Sequence, residues 1–227
     1  MSLTNNAGDK VVINAYSTTG NVEDLAMGEG NSQGIEVTFV PHEYVVKVTQ
    51  GKMEFYDEQE NKDPNIVDVG IKGAVAQMTN DMMTKIVSAY DLAELEHNYT
   101  TPNFDAVVDG LSQLNLEDAS GVFGLVNVKT AGAMKKALKD DLKYVEQFIR
   151  TGYLGTVAGV NFYTTNAVGD DTFYLATKDA VTNFVKKGSE VEYERDGEHR
   201  QNKYIFRKTQ VVALTDATQV VKCSKGA

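Results

Sequence analysis

The chain has 227 residues, 42% apolar and 24% charged, the balance of a globular protein long enough to bury a core as one domain or two small ones. Its formal net charge of −10 makes the surface as a whole repel nucleic acid and anionic membranes; a local basic patch can still bind either, but nothing suggests a dedicated DNA reader. The lone Cys223 excludes an internal disulfide and fits a reducing compartment. No apolar run reaches the roughly 18 residues of a membrane-spanning helix, and MSLTNNAGDK lacks the basic-then-apolar order of a signal peptide.

In chain order, Lys10–Asn14 (KVVIN) reads as a short strand. Residues 15–34 are polar, hold Gly20, Gly28, Gly30 and Gly34, and offer little to bury; loops of that length are uncommon inside compact domains unless they are functional. Ile35–Gln50 reads as a second strand, alternating through Glu36, Thr38 and Val40 and broken at Pro41. The two strands pair as a hairpin with the Gly-rich stretch at its tip, an arm that protrudes. Lys52–Tyr56 continues the strand, and DEQENKDPN is a turn.

Asp63 to about His97 is the stretch the rest is organised around. Asp63 is a good N-cap, Pro64 is tolerated at a first helical position, and no proline follows until Pro102. Ile71, Val75, Met78, Met82, Ile86, Ala89 and Ala93 recur at spacings of three and four, while Lys72, Asn80, Asp81, Lys85 and Asp91 fall largely elsewhere. One helix over 65–97 would span on the order of 50 Å, about three times an ordinary globular helix. The alternative is two helices broken near Gly70 and Gly73. A single long helix in a mostly β chain suggests a flat, extended molecule with this helix as its beam.

Beyond Thr101-Pro102, NFDAVVDGLSQL reads as a short helix with Phe104, Val107, Val108 and Leu111 on one face. Gly121–Val128 is a buried strand feeding a helix over Lys129–Asp140, with Ala131, Met134 and Leu138 inward, and Leu142–Arg150 is a further amphipathic piece. Val160–Val168 and Thr172–Thr177 are strands around the turn Gly169-Asp170-Asp171. Lys178–Lys187 carries Ala180, Val181, Phe184 and Val185 at helical spacing, so a compact α+β unit is expected over 120–188. The tail is β: Glu190–Arg195, the turn DGEHRQN, a return strand Lys203–Leu214, a turn at Thr215-Asp216, and TQVVKC.

No residue pattern nominates chemistry, so no enzyme and no cofactor is expected. His42, His97 and His199 sit on different elements without partners at metal-ligand spacing. Gly28–Gly34 imitates a phosphate loop, but its third glycine is one place late and it precedes a strand where a helix should open. The carboxylate pairs Glu94/Glu96 and Asp140/Asp141 read as solvated charge. Charge patterning is more informative. The loop 15–34 carries Glu23, Asp24 and Glu29 with no Lys or Arg. Basic residues at Lys72, Lys85, Lys186, Lys187, Arg207 and Lys208, with a further pair at Lys135-Lys136, are candidate partners for it. An acidic arm and scattered basic sites suggest a chain that binds copies of itself.

Several segments, in this order, resemble tailed-bacteriophage major capsid proteins: GDKVVIN, then NVEDLAMGEG before a strand hairpin and long helix, then FGLVNVKTAGAMKKAL. The closing stretch ATKDAVTNFVKKGSEVEYERDGEHRQNKYIFRKTQVVALTDATQVVK completes the likeness, which covers Gly8 to Lys222. The resemblance implies an α+β phage major-capsid fold. Residues 10–50 would be the extended loop, 51–119 a peripheral domain with the long helix as spine, 120–188 an axial domain, and 189–227 the peripheral return strands as a long antiparallel hairpin. It implies a structural protein without catalysis that self-assembles as pentamers and hexamers into an icosahedral shell around packaged DNA, which it contacts only non-specifically. Scaffolding protein, protease and portal are further implied partners, a membrane is not, and the implied location is the virion, or the bacterial host cytoplasm during assembly.

In that family the extended loop of one subunit lies across its neighbour's peripheral domain, which would bring Glu23, Asp24 and Glu29 against the neighbour's basic residues. Exposed pairs contribute at most about 1 kcal/mol each and chiefly set register and partner choice. Two departures stand out. Family members carry several dozen residues before the GDK-like strand, where this chain has only a short lead of residues 1–9, read as the remnant of an N-terminal arm or an expression scar. A chain so shortened is expected to be monomeric or weakly associated. One branch of the family also cross-links through a loop lysine, and loop 15–34 has none. Other readings are an encapsulin-like nanocompartment shell of the same fold, an orphan α+β enzyme, or a small-ligand or peptide adaptor. The last needs a clustered aromatic pocket, whereas Tyr and Phe are spread evenly here.

Overall fold

The computed structural model describes residues 10–114, 116, 121–138 and 156–226; the amphipathic piece expected at 142–150, the Asp140/Asp141 pair and the lead 1–9 lie outside them. The chain divides into two compact units. The first takes residues up to Val12, Glu43–Ile86 and Thr182–Ala213, and the second takes Ile13–His42, Val87–Val181 and the chain from Leu214 onward.

The first unit is built on a three-stranded antiparallel sheet in the order β3 (Lys47–Tyr56), β10 (Gln201–Leu214), β9 (Val181–Asp196). Register runs from Gln201 opposite Tyr56 to Gln210 opposite Lys47. Between β9 and β10 the turn is tied by Asp196, whose carboxylate accepts from the backbone N–H groups of Glu198 and His199 and pairs with the His199 ring at 2.8 Å. Buried Asn202 is satisfied on both sides. Its Oδ1 accepts from the Tyr193 hydroxyl at 2.6 Å, and its Nδ2 donates to Asp57, the first residue of α1 (Asp57–Lys62), at 2.7 Å. The segment 57–62 was expected as a turn; it forms this short helix with its carboxylates in the first turn, where they oppose the helix dipole's positive end.

The long helix α2 runs Ile66–Tyr90, 25 residues, and passes through Gly70 and Gly73 without a break. Asp63 starts it as expected: its side chain accepts from Asn65 N–H at 3.0 Å and its carbonyl from Ile66 N–H at 3.2 Å. Gly70 lies against the Met53 thioether of β3, which would have to swing aside for a Cβ there. The expected extension to His97 is corrected. The last turn tightens through Leu92 N–H to Ala89 C=O and Ala93 N–H to Tyr90 C=O, and Leu95–Tyr99 becomes strand β4. Its residues alternate inward and outward with period 2, and pairing with another strand gives its alternate residues backbone partners that a frayed helix end lacks.

A second correction concerns 178–187, which is no helix: β9 begins at Val181 and runs to Asp196. Apolar residues at 180, 181, 184 and 185 satisfy helical spacing, but Val181, Thr182 and Val185 are β-branched, and β10 supplies a ready partner. The single strand expected over Ile35–Gln50 is two, β2 (Glu36–Val45) and β3. Pro41 remains inside β2, because β2 belongs to a two-stranded ribbon with β1 (Lys10–Thr19) and has a free edge to hold it.

The second unit holds a six-stranded mixed sheet in the order β4, β11 (Val220–Lys225), β8 (Thr172–Ala176), β5 (Phe123–Val126), β7 (Val160–Thr164), β6 (Thr156–Val157). The α+β unit expected over 120–188 thus draws in β4 and β11, and 182–188 belong to β9. Helices α3 (Phe104–Gln113) and α4 (Val128–Ala137) are capped by Asn103 and Asn127, whose side chains accept from Ala106 N–H and Lys129 N–H, both at 3.0 Å. Val107, Val126, Met134, Val160, Phe173 and Leu175 lie in its fully buried core. Cys223 is part of that core, with its thiol pushed up to about 12 by burial, so it is a packing residue and not a nucleophile. Gly110 of α3 lies close against it: a Cβ there would stand 2.9 Å from Cys223 Sγ and from Leu175 Cδ1.

Just past α2, Asp91 Oδ1 accepts from the Tyr174 hydroxyl at 2.7 Å and Lys222 Nζ at 2.8 Å. Burial pulls this carboxyl upward, but those hydrogen bonds and the lysine charge outweigh it, leaving Asp91 below its ordinary value of 3.8. A depressed native value adds stability that is complete above the unfolded value and is lost as pH falls through the native one. Asp91→Asn should therefore lower the Tm at pH 7, and the gap to wild type should close as pH drops below 3.8. A gap that persisted unchanged at pH 2 would show that the charge contributes nothing.

Candidate assembly surfaces

The β1–β2 ribbon is anchored at its base by Tyr16 N–H donating to the Thr215 carbonyl at 3.0 Å. Two-stranded ribbons are marginal by themselves in water. The two faces of this one differ. Ser17 and Thr38 bond across one face at 2.6 Å. On the other, the Tyr16 and Phe39 rings meet at 6.3 Å, and both remain exposed, as does Val37.

At the tip, the neck closes where Gly20, at φ 115°, faces Gly34; a Cβ on Gly20 would run into the Gly34 carbonyl. Glu23 folds the loop by accepting from the Ser32 hydroxyl at 2.5 Å and the Ser32 N–H at 2.8 Å, bonds that hold its carboxyl below the usual range. Glu29 closes a small turn, accepting from Ala26 N–H at 3.4 Å while its own N–H reaches the Ala26 carbonyl. Of the three acids, Asp24 alone takes no such local role among the described residues. The loop also presents apolar side chains: Val22 is 85% exposed, Met27 is fully exposed and Leu25 is 45% exposed.

The six candidate basic residues all fall in the first unit, on α2, β9 and β10. Most are already engaged there. Lys85 bonds Asp81 at 2.6 Å and Thr49 at 2.5 Å, Lys187 pairs with Glu190 at 2.8 Å, and Arg207 pairs with Glu192 at 2.9 Å and Gln50 at 2.8 Å. Lys186 has its own partner as well. Lys72 and Lys208 make no ion pair among the described residues.

Sequence reasoning missed the surface beside them. The stripe Ile71, Val75, Met78 and Met82 does face the sheet, yet among the described residues α2 buries nothing before Val87. Between that stripe and Val191 and Phe206 a groove of about 350 Å³ stays open, rimmed by Arg207 and Lys208. Val75 is 55% and Val191 60% exposed at its mouth. The low burial was foreshadowed by the polar residues interleaved through the helix. Among the described residues no three His, Cys, Asp or Glu side chains gather as a metal site, and no helix is long and apolar enough to cross a membrane.

No protein-family model matches the sequence, and no curated protein is detectably similar to it. Its fold, by contrast, is shared with solved shells. The capsid structure of Cyanophage P-SCSP1u superposes with a TM-score of 0.68 at 8% identity, over 98% of this chain and 85% of that one. The mature capsid of bacteriophage PhiM1 gives 0.66 at 12% identity, over 99% and 84%. The holo-SrpI encapsulin complex of Synechococcus elongatus gives 0.62 at 11% identity, over 83% and 77%. The chain has the α+β fold of the tailed-phage major capsid proteins, nearly end to end.

Proposed function

We propose that the chain is the major capsid protein of a tailed phage or prophage, a structural protein without catalysis that self-assembles into an icosahedral shell enclosing DNA. What carries this reading is a capsid fold covering 98–99% of the chain, combined with a ribbon exposed on both faces and a long helix that buries little of its own. In this reading the ribbon and its tip are the extended loop, the first unit with α2 is peripheral, and the sheet of the second unit is axial. Partners are further copies as pentamers and hexamers, with scaffolding protein, protease and portal during assembly in the host cytoplasm. DNA is held only by non-specific contact.

The loop acids meet a neighbour's basic residues, with Asp24 facing Lys72 or Lys208, since the other acids and bases already have local roles. Electron microscopy and sedimentation of the full-length protein, expressed alone or with its genomic neighbours, test the function. Closed shells or hexamers are expected, and a strictly monomeric full-length protein would refute it. In the same assay Asp24→Lys should lower assembly several-fold at low salt and much less at 1 M salt, where exposed charges are screened. The encapsulin likeness favours one second reading, a nanocompartment. It predicts particles that enclose protein in place of DNA, which their ultraviolet absorbance ratio separates.

A further inference from the structure

Within the first unit, the groove between α2 and the strands β9 and β10 is walled by apolar side chains. Ile71, Val75, Met78 and Met82 come from α2, Val191 from β9 and Phe206 from β10. Its volume of about 350 Å³ is that of a small-molecule site. From Ile71 to Met82 the helix rises by about 16 Å, the length of an extended chain of about a dozen carbons. The charges at its mouth leave one residue over. Asp81 is paired with Lys85 at 2.6 Å, Glu190 with Lys187 at 2.8 Å and Arg207 with Glu192 at 2.9 Å. Lys208, on the groove's wall, makes no ion pair among the described residues. The site is therefore apolar along its length with a single uncompensated positive charge, and its complement is an apolar body carrying one negative group.

We infer that this groove binds a single-chain anionic amphiphile, a medium-chain fatty carboxylate. The hydrocarbon tail lies along the stripe of α2, and the carboxylate accepts a hydrogen bond from Lys208 Nζ. Burial of the tail removes apolar surface of both partners from water and supplies most of the affinity. Met78 and Met82 suit a flexible chain, because their thioethers adapt to an irregular shape. Lysine suits a head group at an open mouth, since its point charge on a four-carbon stem can follow the carboxylate. Binding of this kind needs no assembly. On the capsid reading the same stripe is open to another copy, so the amphiphile is a ligand of the unassembled chain.

The test is calorimetric titration of the full chain with octanoate, decanoate and dodecanoate, each below its micellar concentration. One saturable site is expected, with affinity rising about threefold for each added methylene. Lys208→Gln should weaken dodecanoate about tenfold, the share of one charge-assisted hydrogen bond, and leave dodecanol unmoved. Val75→Glu, which sets a carboxylate against the tail, should abolish binding. Val69→Glu, at a similarly exposed position of α2 outside the groove, should not. Both valines are exposed, so neither substitution disturbs the core, and an unchanged Tm checks this. Dodecanoate that shows no saturable binding to the folded chain overturns the inference. So does binding that Val75→Glu and Val69→Glu weaken alike, or a Lys208→Gln effect equal for the acid and the alcohol. None of these results bears on shell formation by the full-length protein, which electron microscopy reads separately.

Discussion

Phe173→Ala is expected to destabilise the second unit by about 3–5 kcal/mol, the usual cost of deleting a fully buried aromatic ring and leaving a cavity. Phe173 lies on β8, in the middle of the six-stranded sheet, with no exposed surface. Its ring tilts against Tyr99 at 5.3 Å and meets Phe162 edge-on at 6.1 Å, so truncation removes two aromatic contacts as well as buried area. The surroundings cannot close over the gap easily. Phe162 is seated over Gly124 of β5, where a Cβ would come within 2.5 Å of the ring, and Tyr99 is tethered through its hydroxyl to the Asp171 carbonyl at 2.8 Å. With typical domain stabilities of roughly 5–15 kcal/mol and urea m-values of about 1–3 kcal/mol/M, the midpoint should fall by one to several molar. The control is Phe39→Ala in the ribbon, an equally large deletion at an exposed position, which should move the midpoint little. Equal shifts for the two variants would contradict the core assignment.

The contrast between those two phenylalanines also marks what the sequence discloses. Elements whose start is fixed by a local side chain were legible: Asp63-Pro64 was read as opening α2, and the helices α3 and α4 were read in place although their caps, Asn103 and Asn127, were not singled out. The two misjudged segments are those where local pattern permits two answers. Leu95–Tyr99 follows the helical stripe with no proline before Pro102 and yet alternates with period 2, and Lys178–Lys187 has helical spacing on β-branched residues. In each a partner strand distant in sequence decided the matter, β11 for the first and β10 for the second. Candidate assembly residues divide the same way. That the loop is acidic is plain from composition, but that Glu23 belongs to Ser32 or Arg207 to Glu192 depends on turns and register that composition does not encode. Val22, Leu25 and Met27 are apolar residues in a polar loop, and their exposure follows from a fold that the composition of the loop does not encode.

Excising residues 21–33, so that Gly20 and Gly34 are joined through a two-residue turn, should abolish assembly while leaving the folded chain as stable as before. The ends to be joined already touch, since a Cβ on Gly20 would collide with the Gly34 carbonyl, and the removed residues contribute nothing to the core. Any loss of particles in a sedimentation profile is then a loss of contact between copies and not of structure. This separates the loop from the beam. If α2 and its neighbouring sheets alone drove association, the excised chain would still sediment as particles, and both the groove and the acids would be incidental. If the tip is the connector, the excised chain stays monomeric with an unchanged denaturation midpoint. On the capsid reading, the half-bare stripe Ile71, Val75, Met78 and Met82 favours that second result, because a helix of 25 residues that buries so little within its own chain leaves apolar surface open to another copy.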